Sequence, residues 1–373
     1  MVQMGVCALI FSRILAWCWC QGLKKTSIFL FVFIAAAPHT IYFIGLLNSD
    51  SLFAVGTTGL LFEMWLVSRT KRVSPASFAM IAISLPFAVF FRTNGIVSLI
   101  PIVVIGFTLV WPERLKLLAI SAVWLILMLV AHKAHPKYKH EVLFPLAAFE
   151  TANFLQPRAM HLKDPLARVS ERSIQILTTF DPIQKTIEFF DRDYWDPLVY
   201  FTDGPGLLRI ESHLRSEFIY EFFTYNLWHN LPSFAGSRVN VFMASVMAEG
   251  GFANLQDAAG VINRSKSRSE FRAFHLTGLE EFLKAVHAFS YSLRWVLWTP
   301  ILGIVLLFYV ARLSFKRRDA ALLSITAPMI LQLGGIFFFS IASEYRYLLP
   351  YFVLPLVLLP ILYSEKLKAV AAR

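Results

Sequence analysis

The sequence has few charged residues and few cysteines for its length. Only 16% of the 373 residues are charged, against about 25% in a typical soluble domain, whereas 57% are hydrophobic. The three cysteines, Cys7, Cys18 and Cys20, all lie near the N-terminus, so disulfides do not hold the long polar region together. This composition excludes a soluble enzyme, a disordered chain and a disulfide scaffold. It indicates a polytopic membrane protein, because so much apolar surface needs lipid as its solvent.

Common catalytic and metal-binding motifs are also missing. No Walker loop, GxSxG or HExxH sequence occurs. Asp191, Asp193 and Asp196 are close together, but their spacing fits no calcium loop. We interpret these three aspartates as a solvated turn, and we expect no metal site and no cofactor.

Long apolar runs recur along the chain. A segment of about 17–25 residues crosses the roughly 30 Å hydrocarbon core of a bilayer as a helix. Strict alternation of polar and apolar residues is absent, so helices are the expected spanning element. The predicted fold is an all-α polytopic membrane protein of about nine transmembrane helices. These lie near residues 4–20, 27–46, 52–68, 76–91, 95–111, 116–132, 293–312, 321–341 and 346–363.

Basic residues predict the orientation of these helices. Alternate connectors together contain 14 Lys and Arg residues, which identifies their side as cytoplasmic. The net charge of +11 is therefore a positive-inside signature, and we expect no nucleic-acid partner. The C-terminus is predicted to be cytoplasmic, in a bacterial inner membrane. Glu63, near the cytoplasmic end of its span, is expected to reach the membrane surface.

Between predicted helices six and seven lies a long polar insertion. Residues 133–291 contain 17 basic and 18 acidic residues, and the orientation places them on the exoplasmic side. The chain thus divides into helices one to six (1–132), this insertion (133–291), and helices seven to nine with a cytoplasmic tail (292–373). Apolar spacing predicts amphipathic helices at 207–228 and 269–289, lying on the membrane surface. Four tryptophans are expected at headgroup level: Trp195, Trp228, Trp295 and Trp298.

Polar residues at the predicted exoplasmic ends of spans are the candidate site. They are Asp50, Arg92, Glu344 and Arg346. A carboxylate at a membrane surface can act as a base, and an arginine can bind a phosphate through two hydrogen bonds. Asp50 and Glu344 are therefore the candidate catalytic residues. The alternative that these side chains only cap helices or pair with one another stays open.

Three short segments carry a resemblance to a known superfamily. The chain resembles the GT-C integral-membrane glycosyltransferases, which include protein mannosyltransferases and lipid A aminoarabinose transferases. The segments are Pro38 with Asp50-Ser51-Leu52-Phe53, then Arg92-Thr93-Asn94-Gly95 with Pro101, and Ser343-Glu344-Tyr345-Arg346-Tyr347-Leu348-Leu349-Pro350. The resemblance implies transfer of a sugar from an exoplasmic polyprenyl-phosphate donor to a glycan, lipid or protein acceptor. It also implies that Arg92, Arg346 and Tyr347 contact the lipid phosphate and that Glu344 orients Arg346.

The chain departs from this superfamily at its N-terminal end. The catalytic carboxylate of GT-C enzymes lies in the first exoplasmic loop, whereas no acidic residue precedes Asp50 here. Asp50 matches the second acidic position of the superfamily. One interpretation is that the usual N-terminal helix and first loop are missing from this sequence.

Three other functions are compatible with the same features. A polysaccharide polymerase or ligase acting on lipid-linked glycans also has a large exoplasmic loop and exposed arginines. A flippase or transporter needs charged residues within its spans, whereas the charges here cluster at one face. A non-catalytic assembly partner stays possible because the first-loop acid is missing. If Asp50, Arg92, Glu344 and Arg346 lie together in the fold, the enzyme is favoured over this last alternative.

Overall fold

The chain is helical throughout the part described by the computed structural model, which comprises residues 2–45, 49–134, 143–156, 168–249 and 277–371. No strand occurs in these ranges, so the all-α fold class is confirmed. Residues 269–276, the first part of one predicted amphipathic helix, lie outside the described residues.

The helices fall into three groups along the chain. The first comprises α1 Val2–Cys20, α2 Lys24–Ala35, α3 Pro38–Gly45, α4 Ser49–Thr70, α5 Pro75–Phe90, a 3-10 helix Thr93–Leu99, α6 Ile100–Phe107 and α7 Trp111–Ala134. The second comprises α8 Phe144–Phe154, α9 Glu171–Leu177, α10 Ile183–Glu188, α11 Asp196–Val199, a 3-10 helix Leu207–Arg209, α12 Ser212–Glu221, a π-helix Phe222–Asn226, α13 Leu227–His229 and α14 Leu231–Val246. The third comprises α15 Thr277–Ser292, α16 Arg294–Leu297, α17 Ile301–Arg317, α18 Ala320–Phe339, a 3-10 helix Tyr345–Leu348, α19 Leu349–Val353 and α20 Pro355–Ala371.

Six helical segments of the described chain are long and apolar enough to cross a membrane. They are α1, α4, α7, α18 and the segments Arg294–Arg317 and Tyr345–Glu365. Helices α2 and α3 meet at a 65° bend and make a seventh span if they are counted together. Helix α5 and the stretch Asn94–Phe107 are apolar but shorter. The chain is an integral membrane protein, and the predicted count of nine spans is not confirmed.

Helix α4 lies at the centre of the bundle. Every residue from Asp50 to Ser68 is buried. Small residues let α5 approach it closely: a Cβ on Gly59 would lie 2.6 Å from the Ser84 hydroxyl oxygen, and one on Gly56 only 2.7 Å from the Phe87 Cβ. Glycines on such a face allow two backbones in a membrane to come into contact. The antiparallel α4–α5 pair therefore brings the start of α4 close to the end of α5.

The region from α8 to α14 has a hydrophobic core of its own. Phenylalanines from α8 and from the α12 segment fill this core, and Trp195 is buried among them. Trp298 is buried in the core of the transmembrane bundle. Protein thus encloses these two rings, whereas Trp228 and Trp295 are exposed, and the headgroup position of the four stays a prediction. The predicted surface helix at 207–228 is continuous only from Ser212, because extended residues at Ile210 and Glu211 separate it from Leu207–Arg209.

Candidate functional site

Three separate segments bring the five predicted site residues together. Asp50 lies in the first turn of α4, and Arg92 follows the end of α5. Glu344, Arg346 and Tyr347 lie in the turn that connects α18 to α19. The structure places all five close together at the same end of the helix bundle. Their catalytic and binding roles stay predictions.

The two arginines share one carboxylate. Arg92 donates a hydrogen bond through Nη1 to Oδ1 of Asp50, while Nε of Arg346 lies 3.7 Å from Oδ2 of the same group. Arg346 Nε also donates a hydrogen bond to Glu344. The ring of Tyr347 contacts both cations, with its centroid 4.7 Å from Cζ of Arg92 and 5.4 Å from Cζ of Arg346. A cation over an aromatic face is attracted by the ring quadrupole, so Tyr347 helps to hold two like charges close together.

Close packing of the backbone determines the position of Arg92. The 3-10 helix after α5 folds back on it, and a Cβ on Gly95 would lie 2.7 Å from the carbonyl oxygens of Ala88 and Val89. The backbone N–H of Gly95 donates a hydrogen bond to the Arg92 carbonyl at 2.9 Å. Only a residue without a side chain allows this approach, so Gly95 fixes the direction in which Arg92 leaves α5.

The turn that carries Arg346 is anchored in the bundle by Tyr345. This side chain is buried, and its hydroxyl lies 2.9 Å from Nε2 of His39 in α3. The His39 ring stacks in turn on Trp298 at a centroid distance of 4.7 Å. Since successive residues of a turn point in different directions, burial of Tyr345 directs Arg346 and Glu344 to the other side, where they meet Asp50.

Solvent exposure differs between the two predicted catalytic carboxylates. The Asp50 side chain is 7% exposed and lies between the two arginines. The Glu344 side chain is 19% exposed, and that of Arg346 is 40% exposed. Within the described part of the chain, Arg346 bonds to protein through Nε, which leaves its two Nη groups without a protein partner there. Arg346 is therefore the most exposed of these side chains, followed by Arg92 at 24%.

A third carboxylate, Asp196, belongs to the same site and was not predicted. Partial burial raises the pKa of Asp196, and the negative charge of Glu344 raises it further while Arg346 opposes the shift. The turn before it is held in place by two contacts: the backbone N–H of Ser343 donates to the Asp193 carbonyl at 2.9 Å, and Asn240 donates to the Asp193 carboxylate at 3.2 Å. The predicted solvated turn thus packs beside Glu344. Its three aspartates were the only sequence signal that could have indicated this.

The other end of the bundle also carries an ion-pair cluster. Arg69, at the end of α4, contacts Asp319 at 2.8 Å and Glu365 at 3.2 Å. Glu365 also lies 3.6 Å from Arg317. This cluster connects α4, α17, α18 and α20, and unlike the Asp50 site it contains no aromatic ring between its arginines in the described contacts.

Two buried ion pairs were missed by the sequence analysis. Glu63 of α4 is fully buried and accepts a hydrogen bond of 2.8 Å from Arg13 of α1, so the expectation that it reaches the membrane surface is wrong. Glu150 of α8 and Arg238 of α14 form an ion pair with side chains 0% and 1% exposed, and Arg238 also donates to the Ser340 carbonyl. Each pair joins positions far apart in sequence, so no local pattern predicts it.

Comparison of the chain with protein-family models, with curated proteins and with solved structures finds no match.

Proposed function

We propose that this chain is a membrane glycosyltransferase that moves a sugar from a polyprenyl-phosphate donor to a glycan, lipid or protein acceptor. In the proposed topology nine segments cross a bacterial inner membrane, with the two shorter apolar helices and the bent pair counted as spans. The C-terminus is then cytoplasmic. The insertion at 133–291 and the candidate site are exoplasmic, where lipid-linked donors are consumed.

The observation that supports this proposal most is the pairing of Arg92 and Arg346 around one carboxylate. Two guanidinium groups at the end of a helix bundle, beside the lipid headgroup region, suit a phosphate that is attached to a lipid. Both Nη groups of Arg346 are available for such a ligand. Asp50 and Tyr347 keep the two cations in place before the donor arrives.

The proposed reaction is a direct displacement at the anomeric carbon of the donor sugar. Glu344, the more exposed of the two predicted catalytic carboxylates, accepts the proton of an acceptor hydroxyl. The hydroxyl oxygen forms a bond to the anomeric carbon, and the bond from that carbon to the phosphate oxygen breaks. The electron pair leaves with polyprenyl phosphate, whose new negative charge is stabilised by Arg92 and Arg346. Asp50 positions the two arginines.

A transfer assay with the purified protein tests this proposal. The full chain in lipid nanodiscs is incubated with polyprenyl-phosphate-linked hexoses and aminopentoses labelled in the sugar, together with lipid-linked glycan acceptors. We expect label in the acceptor and release of polyprenyl phosphate. Arg346→Ala should abolish both, whereas Arg69→Ala, at the opposite end of the bundle, should not. Label transfer that persists in Arg346→Ala would overturn the site assignment.

A transporter of a lipid-linked intermediate is the second candidate, and one observation favours it. The Arg13–Glu63 pair lies within two spanning helices, where an ionisable pair often marks a substrate pathway. The discriminating experiment follows a fluorescent polyprenyl-phosphate sugar across liposomes that contain the protein. A transporter should lose this movement in Glu63→Gln, while a transferase should show no movement with either form.

A further inference from the structure

An open cavity with several polar side chains lies on the insertion, apart from the arginines of the candidate site. Its volume is about 320 Å³, near the lower end of the range for small-molecule sites. Its walls come from α8, from the segment after α10 and from α14. As in most ligand pockets, more of its lining surface is apolar than polar, but five of its eight lining residues carry an amide or hydroxyl side chain.

The three side-chain amides that line the cavity, Asn153, Gln156 and Asn240, all direct their nitrogen at a protein acceptor. The side-chain nitrogen of Asn153 is directed at Glu150 and the Ser233 carbonyl, and that of Gln156 donates to two backbone carbonyls at 3.1 Å. The nitrogen of Asn240 donates to Asp193. An amide whose nitrogen is anchored presents its oxygen. Within the described ranges no protein group donates to these three oxygens, so they remain as hydrogen-bond acceptors on side chains that line the cavity.

Two further residues of the cavity wall, Phe190 and Gly236, provide an apolar ring and an open side. Phe190 is half-buried and packs against Phe149 at a centroid distance of 5.3 Å, with its ring at the cavity. Gly236 lies on α14, and a Cβ there meets no atom within 4 Å. The floor is rigid, because Ser237 and Arg238 both donate hydrogen bonds to the buried carboxylate of Glu150.

We propose that this cavity binds one sugar unit of a glycan through its hydroxyl groups. Acceptors that lack a donor favour a ligand that is rich in donors, and a neutral sugar presents several hydroxyls around one ring together with an apolar face that suits Phe190. The cavity contains no unpaired charge among its described residues, which disfavours an anionic ligand. The arginine at its edge, Arg192, lies 3.3 Å from Asp193.

The position of the cavity indicates that the bound sugar belongs to the acceptor glycan. This assignment rests on the proposed transferase function. Asn240 of the cavity bonds to Asp193, and Asp193 is bonded in turn to Ser343, the residue before Glu344. Two hydrogen bonds thus connect the cavity wall to the segment that carries the proposed base. An acceptor glycan held here would be fixed next to the site that receives the donor.

Saturation-transfer NMR tests the cavity directly. The full chain in nanodiscs is mixed with the methyl glycosides of glucose, galactose, mannose and N-acetylglucosamine. We expect signals from at least one glycoside with the natural protein and with Gly236→Ala. They should be at least about tenfold weaker with Gly236→Trp, whose indole fills the cavity. Arg346→Ala should leave them unchanged, because the donor site is elsewhere.

A thiol-protection measurement covers the case in which Gly236→Trp does not fold. In a Cys20→Ser background, where Cys7 and Cys18 are buried, Gly236→Cys should react with a methanethiosulfonate reagent, and the same glycoside should slow this reaction. The absence of both signal and protection for all four sugars overturns the cavity proposal, as does a signal that survives Gly236→Trp or vanishes in Arg346→Ala. Sugar binding without any transfer activity overturns the proposed function instead.

Discussion

The guanidinium carbon of Arg92 lies 4.7 Å from the centre of the Tyr347 ring. One residue follows α5 and the other lies in the turn before α19, so this contact joins two distant parts of the chain at one end of the bundle. It also explains how a second arginine, Arg346, can be accommodated beside the first. The aromatic ring and the Asp50 carboxylate together offset the repulsion between the two cations.

The first prediction concerns the arginine pair. Arg92→Ala should lower the rate of sugar transfer by about 10²–10³-fold, the usual cost of removing one hydrogen-bond donor that stabilises developing charge. Arg92→Lys should restore little, because an ammonium group lacks the planar fork of a guanidinium. The rate is measured by transfer of labelled sugar in nanodiscs.

Arg69→Ala is the matched control for Arg92→Ala. The two side chains are 25% and 24% exposed, and each is paired with an aspartate at one end of α4. Arg69→Ala should retain most of the transfer activity. Equal losses in the two variants would mean that both ion pairs only hold the bundle together.

The second prediction concerns the contact between α17 and α19. A Cβ on Gly303 would lie 1.8 Å from the Tyr351 carbonyl oxygen, so Gly303→Ala should force these helices apart and lower the midpoint of thermal unfolding in detergent. Gly334→Ala in α18 is the control, since its Cβ meets no atom within 4 Å. That variant should be neutral or more stable by up to about 1 kcal/mol. A stable Gly303→Ala protein would contradict the close approach.

The third prediction concerns the buried pair beneath the cavity. Glu150→Gln leaves the Arg238 guanidinium buried without its counter-charge, which costs about 3–5 kcal/mol of stability. Replacing both residues by methionine should cost less, because no charge is then left unpaired. Glu217→Gln, which breaks an exposed pair with Arg172, should change the unfolding midpoint little. A double variant as unstable as the single one would refute this assignment of the cost.

The fourth prediction concerns Asp196 and pH. Because the folded state raises the pKa of this carboxyl above its ordinary value of 3.8, folding costs more once the group is ionised. The cost is largely absent below about pH 3, where the group is mostly protonated in both states, and is complete above the raised pKa. Asp196→Asn should therefore raise the unfolding midpoint at pH 7 and leave it unchanged near pH 3. If Asp196→Asn raised the unfolding midpoint equally at both pH values, the raised pKa of Asp196 could not be the cause.

Much of the bundle could be predicted from hydropathy and Pro/Gly breaks alone. The ends of α1, α4, α7 and α18 lie near the predicted limits, because a membrane span needs a long apolar run. The grouping of Asp50, Arg92 and Arg346 at one end of the bundle was also predictable, since they are charges next to such runs, whereas their role as a site stays a prediction. In contrast, the number of spans depends on α5 and the stretch Asn94–Phe107. Their length alone does not decide whether they cross the membrane.

Tertiary contacts account for what the sequence did not reveal. Tryptophan is a residue type typical of the membrane interface, yet Trp195 is buried in the core of the insertion together with phenylalanines from α8 and the α12 segment. The sequence around Asp196 predicts a solvated turn. In the structure this turn is attached to the segment of Glu344, because Ser343 donates a hydrogen bond to Asp193. The position of Glu63 near the end of its span predicts that it reaches the membrane surface. In the structure it pairs instead with Arg13 of another helix. None of these partners lies within a few residues of its counterpart.

The central claim is that Arg346 belongs to the phosphate site of a sugar transferase. The most direct test analyses the lipid-linked and surface glycans of a strain that lacks this protein, by mass spectrometry, after complementation with the intact chain or with Arg346→Ala. We expect the loss of one sugar, restored by the intact chain alone. An accumulated, fully built lipid-linked glycan, no change at all, or full restoration by Arg346→Ala would contradict it.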